Sequence, residues 1–204
     1  MILEELPALL PVQFFSLFWD CPYSTGELRA NKETKLPDTS DFCAEQPFAD
    51  LFMGWNEEKI SLLALVWNRS EGDSLELFFD TRDLKTKSHV SKFCHHFIFT
   101  PDERGGVHGR ETTRFYNDDV HRLSDPDDLI VSVDAEEGSY SMKIEIPSHC
   151  LFGYDPKQFP RLGFTYRINR ANGPSQHFAV SGEEFNIEQH PGLWATLLFS
   201  GGGK

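Results

Sequence analysis

From about residue 58 onward, apolar residues recur at every second position, the spacing of a strand with a buried face and not the 3.6-residue spacing of a helix. Ile60, Leu62, Ala64 and Val66 alternate with Ser61, Leu63, Leu65 and Trp67, which predicts a strand covered on both faces. Leu75, Leu77 and Phe79 alternate with Glu76, Phe78 and Asp80, and Phe93, His95, Phe97 and Phe99 alternate with Cys94, His96 and Ile98. The cleanest case sets Tyr140, Met142, Ile144 and Ile146 against Ser141, Lys143 and Glu145, between Gly138 and Pro147. Leu162, Phe164, Tyr166 and Ile168 then oppose Gly163, Thr165, Arg167 and Asn169, followed by a short run at 176–180 and a last strand at 193–199. Upstream, Trp19 in the aromatic run of Phe14, Phe15 and Phe18 predicts a first strand anchored in the core.

Turn residues separate these runs at Asn68–Asp73, Glu136–Gly138, Asn172–Pro174 and His190–Gly192. Roughly seven or eight short strands with almost no amphipathic helix pattern predict an all-β fold, an antiparallel two-sheet sandwich with long loops. One domain over 1–200 is expected, with a disordered tail at 201–204. The segments 22–47 and 102–128 break the alternation; the first reads as a long loop or edge excursion, the second as a loop, and either can carry binding residues.

Composition narrows the partners. The 204 residues carry 19 Lys+Arg against 32 Asp+Glu, a formal charge of -13, with no basic stripe, so neither nucleic acid nor an anionic membrane surface is expected as a partner. The apolar segment Met1–Phe18 contains Glu4, Glu5, Pro7 and Pro11 and lacks a basic start, so it does not read as a secretory signal. No other stretch reaches the ~20 apolar residues of a membrane helix, and no membrane insertion is expected. A cytoplasmic location follows as the expectation, with non-classical secretion left open. Cys21, Cys43, Cys94 and Cys150 show no regular spacing; buried free thiols are favoured, while pairing stays open.

The order of segments then resembles a known family. Asp73-Ser74-Leu75-Glu76-Leu77-Phe78-Phe79-Asp80, followed by Gly138-Ser139-Tyr140-Ser141-Met142-Lys143-Ile144-Glu145-Ile146-Pro147, by Leu162-Gly163-Phe164-Thr165-Tyr166-Arg167-Ile168-Asn169 and by Trp194, is similar to the family-nine carbohydrate-binding-module-like group of the wider DOMON-like β-sandwiches. The match spans about 45–199. The resemblance implies a jelly-roll-like sandwich with a ligand site on a sheet face or at the loop ends, aromatic rings stacking on a sugar in some relatives and haem in others.

Strand parity selects candidate site residues independently, because only side chains on one pleat face can converge. With Leu75, Leu77 and Phe79 inward, Glu76, Phe78 and Asp80 face out, as do Thr165, Arg167, Asn169, His177 and Trp194. Asp80, Arg167 and Asn169, with Arg82 at the strand end and Trp194 as the stacking ring, form the expected site for a saccharide or similar polar ligand. Trp67 is expected to be covered by a loop or by the N-terminal segment.

Other chemistries fit the sequence less well. His95 and His96 point to opposite faces of a strand, while His108, Glu111 and His121 offer a loose His-x-x-Glu group without HxH or HExxH spacing. The metal ligands stay unassigned; a structural calcium on Asp118, Asp119, Asp125, Asp127 and Asp128 is the more natural ion, and no other cofactor is expected. No Gly-x-Ser-x-Gly elbow is present, Glu76 and Asp80 lie ~13 Å apart along a strand, and Met142 faces the core. The sequence therefore reads as a non-catalytic binding domain, with a protein-interaction module that has lost sugar binding as the first alternative and a metal-dependent hydrolase as the second.

Overall fold

A computed structural model describes residues 17–86, 89–182 and 185–202. Among these residues there are eleven strands: β1 (Phe18–Pro22), β2 (Ala49–Trp55), β3 (Lys59–Trp67), β4 (Ser74–Asp80), β5 (Cys94–Arg104), β6 (Val107–Glu111), β7 (Ile130–Glu136), β8 (Ser139–Pro147), β9 (Arg161–Asn169), β10 (Gln176–His177) and β11 (Ala195–Ser200). The larger sheet runs β1-β11-β9-β4-β5-β6 with β10 beside β9, and the smaller runs β2-β3-β8-β7. The ladders are antiparallel apart from β1 against β11.

The inner faces follow the sequence alternation. Ile60, Leu62, Ala64 and Val66 of β3 and Tyr140, Met142, Ile144 and Ile146 of β8 meet Leu75, Leu77 and Phe79 of β4 and Leu162, Phe164, Tyr166 and Ile168 of β9 in one buried cluster. Burial of each such side chain contributes about 1.5–3 kcal/mol, so this shared face holds the sandwich together.

Three strands lie outside the alternation read from sequence. β2 (ADLFMGW) is almost continuously apolar, because Leu51 and Met53 enter the main core while Phe52 packs outward with Leu28 and Leu63. β6 is polar and short, and β7 is an edge strand whose Val131 and Val133 only partly reach the core. Segment 22–47 is an edge excursion: Leu36 N–H donates to Leu51 O (2.8 Å) and Met53 N–H to Thr34 O (2.7 Å), which blunts the free edge of β2.

Other expectations change at the margins. Trp67 is 40% exposed, so the cover expected over it is not supplied by the described residues. The N-terminal apolar segment lies, up to residue 16, outside the described residues, as do 203 and 204 of the tail. Gly201 and Gly202, however, sit against Tyr23 and Trp55; a Cβ on Gly202 would come within 2.7 Å of the Trp55 ring. Among the described residues no helix is long and apolar enough to cross a membrane.

Candidate functional site

Much of the outward face of the larger sheet is covered. Phe78, Val90, Cys94, Ile187 and Trp194 form a second buried cluster there, with Phe115 and Val180 at its edge. The segments after β4, after β6 and between β10 and β11 fold over the sheet and supply most of these side chains. Parity places Glu76, Phe78, Arg167 and Trp194 on this face but carries no record of its cover.

At one end of this face the polar residues converge on Glu76. Its carboxylate accepts from Arg167 Nε (3.2 Å) and Nη2 (2.7 Å) and from Asn169 Nδ2 (2.5 Å), and it pairs with His96 Nε2 (2.7 Å). Arg167 Nη2 also donates to Glu188 (2.7 Å), and Asn169 Oδ1 accepts from Ser175 Oγ (2.9 Å). Burial by itself pushes the Glu76 carboxyl up, but hydrogen bonds from His96 and Arg167, with their charges, hold it down at about 2. Burial likewise works against the Arg167 charge, yet Glu76 and Glu188 raise its pKa. The His96 ring stacks on Phe78 at 4.3 Å.

Beside this network is a recess lined by Phe78, His96, Arg114, Glu188, Gln189 and Trp194, with an internal volume of about 10 Å³, room for one water. Arg114, at its mouth, is exposed, and two residues further along the same loop Tyr116 is 72% exposed and packs against His89 at 5.2 Å.

Of the five site residues expected from sequence, only Arg167 and Asn169 converge on Glu76. Trp194 is 3% exposed and donates its indole N–H to Ile187 O (2.8 Å), so it floors the recess and offers no open stacking face; the 185–190 segment closes over it. Asp80 is buried at the opposite end of β4, where it accepts from Arg82 N–H (3.0 Å) and Leu84 N–H (2.7 Å) and fixes the turn after the strand. Burial, above all, raises its pKa. Arg82 is clamped between Phe159 (3.7 Å) and Phe93 (4.7 Å) and donates to Thr81 O and Gly153 O, a structural position. Glu76, His96 and Glu188 were missed as site residues. The signal for Glu76 was its place opposite Arg167 in the β4–β9 ladder, a register that one strand's alternation does not fix.

A second cluster lies on the inner side of β5 and β6. His95 Nδ1 is 2.9 Å and His121 Nε2 2.8 Å from Glu111 Oε1, while Ser124 N–H (2.8 Å) and Oγ (2.9 Å) donate to Oε2 and Thr113 Oγ1 (2.7 Å) to Oε1. Burial lowers the His95 pKa more than Glu111 restores it. Glu111 and His121 are thus together as expected, but the third member is His95. His108 has the opposite parity to Glu111 on β6 and turns to Thr100 O (3.0 Å). Of the five aspartates expected to hold calcium, Asp128 joins a group with His149 and Cys150; among the described residues the other four belong to no cluster of three ligands.

No family model and no curated protein matches the sequence. Solved structures do match in fold. A family 9 carbohydrate-binding module from Caldicellulosiruptor kristjanssonii in complex with cellotriose superposes with a TM-score of 0.61 at 14% identity, over 93% of this chain and 95% of that one. A family 9 module from the same organism in complex with glucose gives 0.59 at 13% identity, over 92% and 97%. The chain has a family-9-like β-sandwich fold.

Proposed function

We propose that the chain is a non-catalytic binding module for a carbohydrate or similar polyhydroxyl ligand, taken up on the outer face of the larger sheet around Arg167, Asn169, His96 and Glu188. The observation that carries this reading is the network centred on Glu76. Charged and amide groups locked by one another present directional donors and acceptors at fixed positions, which is what vicinal hydroxyls require. Fold neighbours that hold cellotriose and glucose support the saccharide class.

The recess admits only a water, so a sugar ring seats on its rim, with Arg114 on one side and Glu188 and Gln189 on the other. Tyr116, exposed on the loop that carries Arg114, takes over the stacking role that the buried Trp194 does not fill. Binding and not hydrolysis is favoured because both oxygens of Glu76 are already engaged by Arg167. Calorimetry with cellotriose, glucose and a panel of other oligosaccharides tests the reading. Arg167→Ala and Asn169→Ala are expected to abolish binding of the best ligand, while Arg82→Ala leaves it intact. Binding by no member of the panel, or affinity unchanged in both site variants, overturns it.

A further inference from the structure

We infer that His95, Glu111 and His121 form a binding site for one divalent transition-metal ion, zinc foremost, that ties the 112–125 loop to β5 and β6. The group is assembled by the fold. Phe97 and Glu111 are register partners, which brings His95, two residues before Phe97, toward Glu111 on the inward side, and the loop after β6 curls back to seat His121 on the same carboxylate. The side chains are 0%, 0% and 2% exposed.

Donor and acceptor bookkeeping leaves a place for a cation between them. His121 Nδ1 lies 2.6 Å from Lys92 O, and His95 Nε2 lies 3.4 Å from Phe152 O. A carbonyl only accepts, so His121 carries a hydrogen on Nδ1, while the longer His95 contact leaves that ring either tautomer. In the metal-free chain His95 Nδ1–H and His121 Nε2–H can both donate to the Glu111 carboxylate, which takes one extra proton. With the His95 hydrogen on Nε2 and His121 neutral, His95 Nδ1 and His121 Nε2 are bare lone pairs aimed at Glu111 Oε1, and all three atoms lie within 4.8 Å of one another. A single metal ion satisfies all three atoms with both rings neutral, in place of that proton.

The surroundings are those of a metal centre. Ligating histidines commonly donate their other N–H to a backbone carbonyl, and ligating carboxylates are themselves hydrogen-bonded. Here Lys92 O and Phe152 O take the first role, and Ser124 and Thr113 the second. Two imidazoles and a carboxylate suit zinc, whose bonds of about 2.0–2.2 Å are reached if the ligand atoms spread by a few tenths of an ångström. A groove of about 340 Å³ lies beside the group, lined by Ser124 and Phe152, residues that touch Glu111 and His121. Thr113 and Arg114 lie two and three residues beyond Glu111 and line the recess, so an ion here also braces one of its walls.

The full chain, stripped with chelator and titrated with zinc alone by calorimetry, tests the site, with cobalt(II) as the spectroscopic probe. The expected result is a single tight equivalent, a higher thermal midpoint, and a visible cobalt spectrum of a nitrogen–oxygen donor set. His121→Ala and Glu111→Gln are expected to weaken binding by about 100-fold or more, and the milder Ser124→Ala by about tenfold with the metal-free circular dichroism unchanged. His149→Ala, which removes the partly exposed Asp128–His149–Cys150 group on the same groove, leaves zinc binding intact. No zinc bound by the wild type, zinc affinity unchanged in both His121→Ala and Ser124→Ala, or zinc lost in His149→Ala overturns the inference. None of these outcomes depends on saccharide binding.

Discussion

Glu76 and Arg167 stand directly opposite each other in the β4–β9 ladder, and the guanidinium grips the carboxylate through both Nε and Nη2. Bidentate charge-assisted pairs of this kind are strong when partly desolvated, and Glu76 is 7% exposed at its side chain. The folded carboxyl titrates at about 2, below its ordinary 4.5. Its stabilising contribution is therefore complete above about pH 4.5 and is lost as the pH falls toward 2, a span of about 3 kcal/mol. Urea unfolding of wild type and Glu76→Gln at a series of pH values is expected to show a stability gap near pH 6 that closes by pH 2. A gap that stays constant with pH would contradict the assignment.

Much of this sheet was legible beforehand, and the reasons differ by residue. Leu75, Leu77 and Phe79 announce their strand because alternation records a single buried face. Trp194 reads as an open stacking ring for the same reason: the outward face of β4, Phe78 included, is buried too, under loops whose docking leaves no periodic trace. Parity places Arg167 and Asn169 on the outward face, whereas Glu188 and His96 join their network only through loop closure and cross-strand register. In sequence, adjacency to His96 argues against His95 as a ligand, since opposite faces rule out a shared ion. Its true partners sit on β6 and on the returning loop, 16 and 26 residues away, a distance along the chain that local spacing cannot bridge.

Trp194 separates packing from ligand contact. The ring is buried against Phe78 at 5.8 Å, and its N–H is spent on Ile187 O. Trp194→Ala is expected to cost about 3–5 kcal/mol through the cavity it leaves, and Trp194→Phe about 1–2 kcal/mol, mainly through the orphaned carbonyl. Denaturant midpoints check both values. Saccharide affinity in the folded Trp194→Phe protein should stay within about threefold of wild type, less than 1 kcal/mol.

Arg82 looks like a ligand residue in sequence and acts as a clamp in the fold. Its planar cation lies between Phe159 and Phe93, a geometry that a lysine ammonium does not reproduce. Arg82→Lys is expected to lower stability by about 1–2 kcal/mol, read from thermal or urea unfolding. Saccharide calorimetry on the same variant should give the wild-type curve; a lost curve would return Arg82 to the binding face.

Gly109 tests how tightly β6 must lie on β5. It faces Phe99 across the ladder, and a Cβ built there would fall 2.5 Å from both Cδ1 and Cε1 of that ring. Phe99 is fully buried, so the ring has no free space to swing into and the backbone of β6 must lift instead. Gly109→Ala is expected to cost about 1–3 kcal/mol, the usual penalty of overpacking. Because Glu111 is two residues further along the same strand, the displacement also reaches the His95–Glu111–His121 group. A double-mutant cycle with Phe99→Leu checks the cause: removing the ring relieves the clash, so Gly109→Ala should cost at least about 1 kcal/mol less in the Phe99→Leu background. Simple additivity of the two substitutions would show that the strain lies elsewhere than in this contact.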